Sequence, residues 1–158
     1  MSVIVRMVAM LLIFCAAIYG WSENLAAHEQ AYSHNSTQIF EKRTLLPAII
    51  VTETYSVASA PANIDVAASG ETLSVKEEER RDVSKMVTAI KQGSALESEA
   101  LTILIFVIAC LLVGCLYIRR FRMLWLLACV LSLTWPGWLV YEAHEKTAFA
   151  IQLLHNIS

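Results

Sequence analysis

Four cysteines carry the most reactive side chains of this sequence, and all four lie inside apolar runs. They occupy positions 15, 110, 115 and 129. A disulfide framework would place its cysteines outside the membrane, and thiols buried in apolar surroundings are inert. We therefore interpret these cysteines as small hydrophobic residues, and a thiol-dependent membrane enzyme is the weakest of the functional hypotheses.

Glu142, His144 and Glu145 cluster near the end of the chain and raise the question of a metal site. On a helix the two glutamates would share a face and the histidine would point elsewhere, and no further residues complete a ligand set with the usual spacing. The sequence also contains no glycine-rich phosphate loop and no nucleophile elbow. It therefore predicts no catalytic residues, no metal, no cofactor and no enzymatic activity.

Cys110 and Gly114 form a small-xxx-small pattern, which lets helix backbones approach closely within a membrane. If the two apolar runs near the end of the chain form a hairpin, Cys110 and Cys129 come to similar depths. We predict that Cys110, Gly114 and Cys129 are helix-packing residues.

The elements that hold these residues are apolar helices. The chain has 158 residues, of which 57% are hydrophobic and 16% charged, whereas soluble domains are about 45 to 50% apolar and about 25% charged. Residues 7–21, 101–118 and 123–141 contain no charge. The net charge of −2 excludes the basic surface that nucleic-acid binding requires. The sequence predicts a mainly α membrane protein with lipid and a membrane protein as its partners.

Residues 1–22 are a signal peptide or a signal anchor. One positive charge, an apolar run and a small-x-small site at Gly20–Ser22 are typical of a secretory signal. An uncleaved anchor is the alternative, because the run approaches the 17 to 25 or so residues that cross a bilayer when the preceding valines are included.

The C-terminal half predicts a transmembrane hairpin. A helix over 94–118 would be followed by a turn at 119–122 and a second helix over 123–141, each with an apolar run close to bilayer thickness. A single long helix over 95–134 is the alternative, but it would leave its apolar end in water. Helix hairpins with connections of about 2 to 5 residues are known, so we prefer the hairpin.

Four arginines predict the orientation of the chain. They are Arg6, Arg119, Arg120 and Arg122. Lys and Arg in short loops are retained in the cytoplasm. This predicts a multi-pass protein of the plasma or inner membrane, with 119–122 cytoplasmic and both 23–100 and 142–158 outside.

Pro136 and Gly137 lie between two tryptophans and predict a kink in the last membrane helix. The kink would be either an interfacial stop or a hinge. Residues 142–158 mix apolar and polar residues, which favours an external amphipathic tail lying on the membrane surface.

The external segment is acidic, with seven basic and twelve acidic residues between 23 and 99, a balance of −5. Residues 48–57 favour one strand, and 58–70 are typical of a linker. One strand is not a domain. We therefore expect 23–73 to be partly ordered, or ordered only against a partner.

A helix over 74–93 follows. Ser74–Glu77 is a capping box, and Gly93 is suited to end the helix as a hinge. A second capping box, Ser94–Glu97, would begin the membrane helix. The sequence therefore predicts two separate helices in this region.

The first of these helices carries an apolar stripe. It consists of Val83, Met86, Val87 and Ile90. A helix this short is marginal alone in water, so lipid, the 48–57 strand or another subunit must cover the stripe. We predict that these residues dock a partner.

The functional hypothesis is an accessory or scaffolding subunit that binds partners through its external arm and its membrane hairpin. The alternative is a small holin-like pore formed by several copies, although neither hairpin helix carries the polar stripe that a water-filled lumen favours. The oligomeric state is left open.

Overall fold

The computed structural model describes residues 3–34, 37–45, 47–55, 61–68, 71–75, 80–117 and 122–157. In this part of the chain one helix precedes five strands, and three helices follow them. The helices are α1 (Val3–His28), α2 (Arg80–Tyr117), α3 (Arg122–Ser132) and α4 (Thr134–Ile157). The strands are β1 (Glu29–His34), β2 (Thr37–Leu45), β3 (Ala48–Tyr55), β4 (Pro61–Ala68) and β5 (Glu71–Val75).

Three helical stretches of the described residues are long and apolar enough to cross a membrane. They are Val3–His28, Val83–Leu116 and Met123–Leu154, the last of which α3 and α4 share. Large apolar side chains are exposed along them, including Met123 at 81% and Leu11 at 64%. Such surfaces mark contact with lipid or protein. The prediction of a largely helical chain whose apolar helices suit a membrane is confirmed.

The described residues between 29 and 75 form an antiparallel sheet in the order β1-β2-β3-β4-β5. Each strand pairs with the next one along the chain. The strand expected at 48–57 corresponds to β3, but the linker expected at 58–70 contains β4. The prediction of a single strand within 23–73 is therefore wrong, because the described residues form several strands that pair with one another.

β4 has a weak sequence pattern. Its inward side chains, Ile64, Val66 and Ala68, are separated by small or polar residues over a strand of only eight residues. Pro61 opens the strand, at a position where a proline is tolerated. Pairing with β3 and packing on α2 stabilise a strand that local preference alone does not indicate.

The apolar stripe of α2 lies under the inward face of this sheet. Its four residues are 5% exposed or less: Val83, Met86, Val87 and Ile90. They form one core with β3, β4 and α4, whose contributions include Val51, Val66, Ala150 and Leu154. The sequence indicates the 48–57 strand as one element that could cover this stripe. In the structure the sheet and α4 cover it together. The prediction that these four residues dock a partner is wrong, because they are buried in the core and have no free surface.

α2 runs without a break through Gly93 and Ser94, where the sequence predicts one helix to end and another to begin. A glycine costs a helix interior only about 1 kcal/mol, which packing on several sides offsets. Ser74 lies in β5, opposite Asp65, rather than at a helix N-cap. Glu77 lies outside the described residues. The predictions of two capping boxes and of a hinge are therefore corrected to one continuous helix.

Gly93 allows α2 and α4 to approach each other closely. A Cβ atom at Gly93 would lie 2.8 Å from Oγ1 of Thr147 and 3.4 Å from the carbonyl oxygen of Ala143. Both residues are fully buried, and the Thr147 hydroxyl donates a hydrogen bond to that carbonyl at 2.7 Å. The glycine serves helix packing rather than helix termination.

The last membrane stretch breaks at Leu133, between α3 and α4, and not at Pro136 or Gly137. The Leu133 amide donates to the carbonyl of Val130 at 3.1 Å, and the Gly137 amide donates to the carbonyl of Leu133 at 3.2 Å. Pro136 lies in the first turn of α4, where amides have no helical partner and a proline is accommodated. The predicted kink is displaced by three residues for this reason.

The segment 142–157 continues α4 and packs against α2 instead of lying alone on a surface. Ala143, Thr147 and Ala150 are each 1% exposed or less. Their spacing of three and four residues forms one stripe of a helix. The tail predicted for 142–158 is therefore corrected, over its described residues, to a structural part of the fold.

Gly93→Ala and Gly137→Ala are a matched pair of substitutions. Gly93→Ala is expected to destabilise the protein by about 1 to 3 kcal/mol, because the new methyl group overpacks the α2–α4 contact. No atom lies within 4 Å of the corresponding position at Gly137, so alanine there is expected to be neutral or to stabilise by about 0.5 to 1 kcal/mol. Thermal unfolding in detergent, followed by circular dichroism, measures both, and equal shifts would contradict the close approach.

Ile49 and Ile50 test which face of the sheet forms the core. Ile49 is 2% exposed on the inward face, whereas Ile50 is partly exposed on the opposite face. Ile49→Ala is expected to cost about 2 to 5 kcal/mol and Ile50→Ala less than about 1 kcal/mol. The same unfolding measurement compares them, and a larger loss for Ile50→Ala would show that the opposite face is buried.

Candidate functional site

The predicted helix-packing residues lie where α2 and α3 meet. Cys110, Trp125 and Cys129 line one groove of about 390 Å³ between the two helices. A Cβ atom at Gly114 would overlap the indole ring of Trp125, so the bare glycine backbone receives this ring. Cys110 is exposed and Cys129 is buried. The structure thus brings the predicted residues to one helix contact.

This groove also shows how the chain turns. Thr102 and Ser132 line the groove as well, while Gly114 faces Trp125. The residue number falls along α2 as it rises along α3, so the two helices are antiparallel. The predicted turn falls largely on residues outside the described ones, among them Arg119 and Arg120. Arg122 is the first residue of α3, and Arg6 lies in α1.

The acidic and histidine cluster near the end of the chain lies on α4. Glu142 is half-buried, and His144 and Glu145 are exposed. Among the residues that the structure describes, no group of three His, Cys, Asp or Glu side chains is placed to hold a metal ion. No additional described ligand approaches this cluster.

A cluster of buried polar groups lies where the last turn of α1 meets α2 and the end of β2. His28 and Glu97 are 2% and 7% exposed. Oε2 of Glu97 accepts a hydrogen bond from the Leu45 amide at 2.7 Å and lies 3.6 Å from Nε2 of His28. The Ser94 hydroxyl donates to the His28 carbonyl at 3.4 Å. We call these four residues the polar junction, because they join three elements that are distant in sequence.

The hydrogen bond at Nδ1 shows which nitrogen of His28 always carries a hydrogen. Nδ1 lies 2.8 Å from the Asn24 carbonyl oxygen, which can only accept, so Nδ1 carries a hydrogen. Nε2 faces the Glu97 carboxylate. This carboxylate raises the pKa of His28 above its usual value, and the opposing effect of burial is smaller. His28 and Glu97 therefore face each other as a buried base and acid beyond the apolar run 7–21 of α1.

Asn24 attaches α1 to α2 one turn before His28. Its Nδ2 donates to the carbonyl oxygen of Ser98 at 2.8 Å and to Oγ1 of Thr102 at 3.1 Å. Asn24 is 7% exposed, and buried amides require such partners. Since the two acceptors lie one turn apart on α2, they define the axial position of α1 against it.

A groove of about 410 Å³ opens beside the polar junction. Its wall includes His28, Ser98 and Thr102, together with an ion pair between Lys42 and Glu29. The Lys42 Nζ and Glu29 Oε1 atoms are 3.4 Å apart, and both side chains are partly exposed. The groove therefore connects the buried junction with the outside of the protein.

A second charged contact attaches the sheet to α2. Nζ of Lys91 donates to both carboxylate oxygens of Glu53, at 2.7 and 2.6 Å. The Tyr55 hydroxyl donates to the same carboxylate at 3.2 Å, and burial followed by the nearby Glu53 charge raises the pKa of Tyr55. Glu53 lies on the inward face of β3, so these bonds satisfy a carboxylate at the edge of the core.

Sequence reasoning missed His28 and used Glu97 only as a capping residue. A signal for Glu97 was available, because the buried stripe of α2 continues at helical spacing through Ile90, Ser94 and Glu97 to Ala100. A charged residue on a buried stripe requires a partner. No comparable pattern identifies His28 as that partner.

Compared with models of known protein families, with curated proteins and with solved structures, the chain matches none.

Lys91→Met and Lys42→Met test the two ion pairs against each other. Losing Lys91 leaves the Glu53 carboxylate, whose side chain is 9% exposed, without its cation. The expected cost is about 2 kcal/mol, below the roughly 3 to 5 kcal/mol of fully buried pairs because water still reaches Lys91. Lys42→Met removes an exposed pair and is expected to cost less than about 1 kcal/mol.

Denaturant unfolding of the full chain in detergent measures both lysine variants. The free energy of unfolding that Lys91→Met loses should be recovered when Glu53→Gln is combined with it, since no buried charge then remains at this site. A loss in the double variant as large as in Lys91→Met alone would contradict this account.

Proposed function

We propose that this protein is a small integral membrane accessory or scaffolding subunit that binds a protein partner. The observation that supports this is how its head is built, where the head means the sheet, residues 80–100 and residues 142–157. The sheet packs on the first half of α2 and the end of α4. The other halves of these helices expose apolar side chains, such as Leu112 at 50% and Trp138 at 60%. The head is thus built directly on two helices that are apolar enough to span a membrane.

The docking surface that we propose is the outward face of the sheet. Tyr32 and Ile39 are cross-strand neighbours on this face, and Tyr32 is 49% exposed. Ile50 lies on the same face of β3, opposite Arg43. Aromatic and aliphatic side chains next to an arginine are typical of the centre of protein interfaces. This surface replaces the α2 stripe, which the core occupies.

Binding rather than catalysis is the proposed chemistry. The groove that holds Cys110 and Cys129 is lined by apolar residues together with Thr102, Trp125 and Ser132. A nucleophilic thiol requires a neighbouring base or cation, and this lining includes no acid or base. The thiols therefore contribute to helix packing in our proposal.

We propose that the head lies outside the cytoplasm, at the plasma or inner membrane. The strands β3 and β4 and the end of α4 share one core with the first half of α2. The end of α2 at Tyr117 and the start of α3 at Arg122, which flank the arginine-rich connector in sequence, lie at the other end of the hairpin. Arginines in short connectors are retained in the cytoplasm. This arrangement is compatible with both predicted external segments lying on one side.

We also propose that α1 is retained as an anchor. Gly20 lies within a continuous helix, and a Cβ atom at this position would lie 3.6 Å from Cδ1 of Ile105 in α2, so the two helices are close here. Asn24 and His28 then attach the end of α1 to α2. A helix with these partners has a structural role beyond targeting.

Mild-detergent purification of the tagged full chain from its own membrane, with mass spectrometry, tests this function. The wild type is expected to carry a partner at constant stoichiometry, and Tyr32→Lys combined with Ile39→Lys is expected to lower the recovered partner by about tenfold, as lost interface anchors do. Ser84→Lys, on the exposed face of α2, is the matched control and should retain it.

The same spectra separate the alternatives. A wild-type homo-oligomer without a partner would contradict the scaffold and favour the pore, which liposome leakage then tests. A partner that remains on the double variant would contradict the proposed surface. An intact mass that includes residues 1–22 is expected, and a mass without them would show that α1 is cleaved.

A further inference from the structure

The imidazole of His28 faces two different environments through its two nitrogens. Nδ1 donates to the Asn24 carbonyl within α1. Nε2 is buried and has no partner within hydrogen-bond distance among the described residues. Its nearest described charge is Oε2 of Glu97, 3.6 Å away on α2. Attachment of α1 to α2 at this point therefore depends on what Nε2 carries.

Without a proton on Nε2, two acceptors oppose each other in a buried site. A neutral imidazole with hydrogen on Nδ1 presents a lone pair at Nε2, and an ionised carboxylate has only lone pairs. With a proton between them, the same atoms form a charge-assisted contact in surroundings of low dielectric. Because Glu97 also accepts the Leu45 amide, the contact includes the end of β2 as well.

We propose that His28 and Glu97 form a pH-sensitive latch, which fastens the end of α1 to α2 and β2 when His28 is protonated and loosens this attachment when it is neutral. The released part is the last turn of α1 with its contacts to the head. The apolar core between the sheet, α2 and α4 does not include α1, so it stays folded in both states.

Other charged groups near the latch are placed so that they modify it little. Glu29 of β1 and Lys42 of β2 form their own ion pair in the neighbouring groove. Glu99 lies on the α2 wall of that groove and is exposed. α4 contributes Thr147 and Ala143 near Gly93, and these residues do not titrate. Glu97 is thus the charge that faces His28 directly.

The direction of the pH effect follows from linkage. Glu97 raises the pKa of folded His28 above its usual value. A group whose folded pKa is raised contributes stability that is complete below the unfolded pKa, about 6.5 for histidine, and is lost as the pH rises through the folded pKa. Acid therefore fastens the latch, and alkaline conditions loosen it.

Protons can reach this site. His28 lies in the wall of the groove of about 410 Å³ that opens between α1, β2 and α2. The imidazole is nearly buried, yet it borders this open groove. His28 can therefore exchange protons with the solution outside the head and respond to the pH of that solution.

Hydrogen exchange of the full chain in lipid nanodiscs tests the latch at the Leu45 amide, which donates to Glu97. Between about pH 5.5 and about pH 8.5, the protection factor of this amide, corrected for the intrinsic exchange rate, is expected to fall about tenfold or more in the wild type, as the loss of one hydrogen bond to a charged group does. His28→Gln should remove this pH dependence, because glutamine does not titrate. His144→Gln, at an exposed histidine on α4, should leave it intact.

Histidine NMR of the same samples keeps the test independent of how well the His28 variant folds. The His28 titration midpoint is expected to fall in Glu97→Gln relative to the wild type, because the charge that favours the imidazolium is gone. A wild-type protection factor that does not change with pH, a pH dependence that persists in His28→Gln, or an unchanged midpoint in Glu97→Gln would each overturn the latch.

Discussion

The uninterrupted course of α2 is the constraint on which the other contacts depend. Its 38 residues would extend about 57 Å at 1.5 Å per residue, long enough to serve both the head and the membrane. One face of this helix carries Met86 and Ile90 under the sheet, Gly93 against α4 and Glu97 in the polar junction. Because the helix continues without interruption between these positions, α1, the sheet and α4 all pack against the same helix.

Along this helix the apolar contacts supply most of the stability, and the polar contacts specify which elements pair. Burying a side chain such as Ile49 or Ile90 contributes about 1.5 to 3 kcal/mol, so the core under the sheet supplies most of the stability. Partly exposed ion pairs contribute less. The buried polar groups instead require particular partners. Glu53 requires Lys91, and Asn24 requires its two acceptors on α2. They specify which strand and which turn of helix meet, since a buried polar group without its partner is costly.

The sequence predicts the helices far better than the sheet, for physical reasons. The runs at 101–118 and 123–141 are continuous and apolar, and a lipid-facing helix needs no partner to be recognised. The strands are short and gain stability from pairing with one another, which local pattern does not reveal. Gly93 was interpreted as a helix end because its packing partner, Thr147, is more than fifty residues away in sequence. A local pattern therefore does not reveal the contact. His28 was missed because its partner, Glu97, is also distant in sequence.

The contribution of α4 to the core imposes an order on assembly during synthesis. Strands that pair with their sequence neighbours can form early, since their contacts are local. Their apolar face stays incomplete, however, until Ala150 and Leu154 have been made and, in the topology that we propose, have crossed to the same side as the sheet. Meanwhile α2 exposes part of its stripe, and exposed stripes of this kind favour aggregation. In this proposed topology, insertion of the hairpin is a late folding step for the head, and an insertion defect would be observed first as misfolding of the sheet.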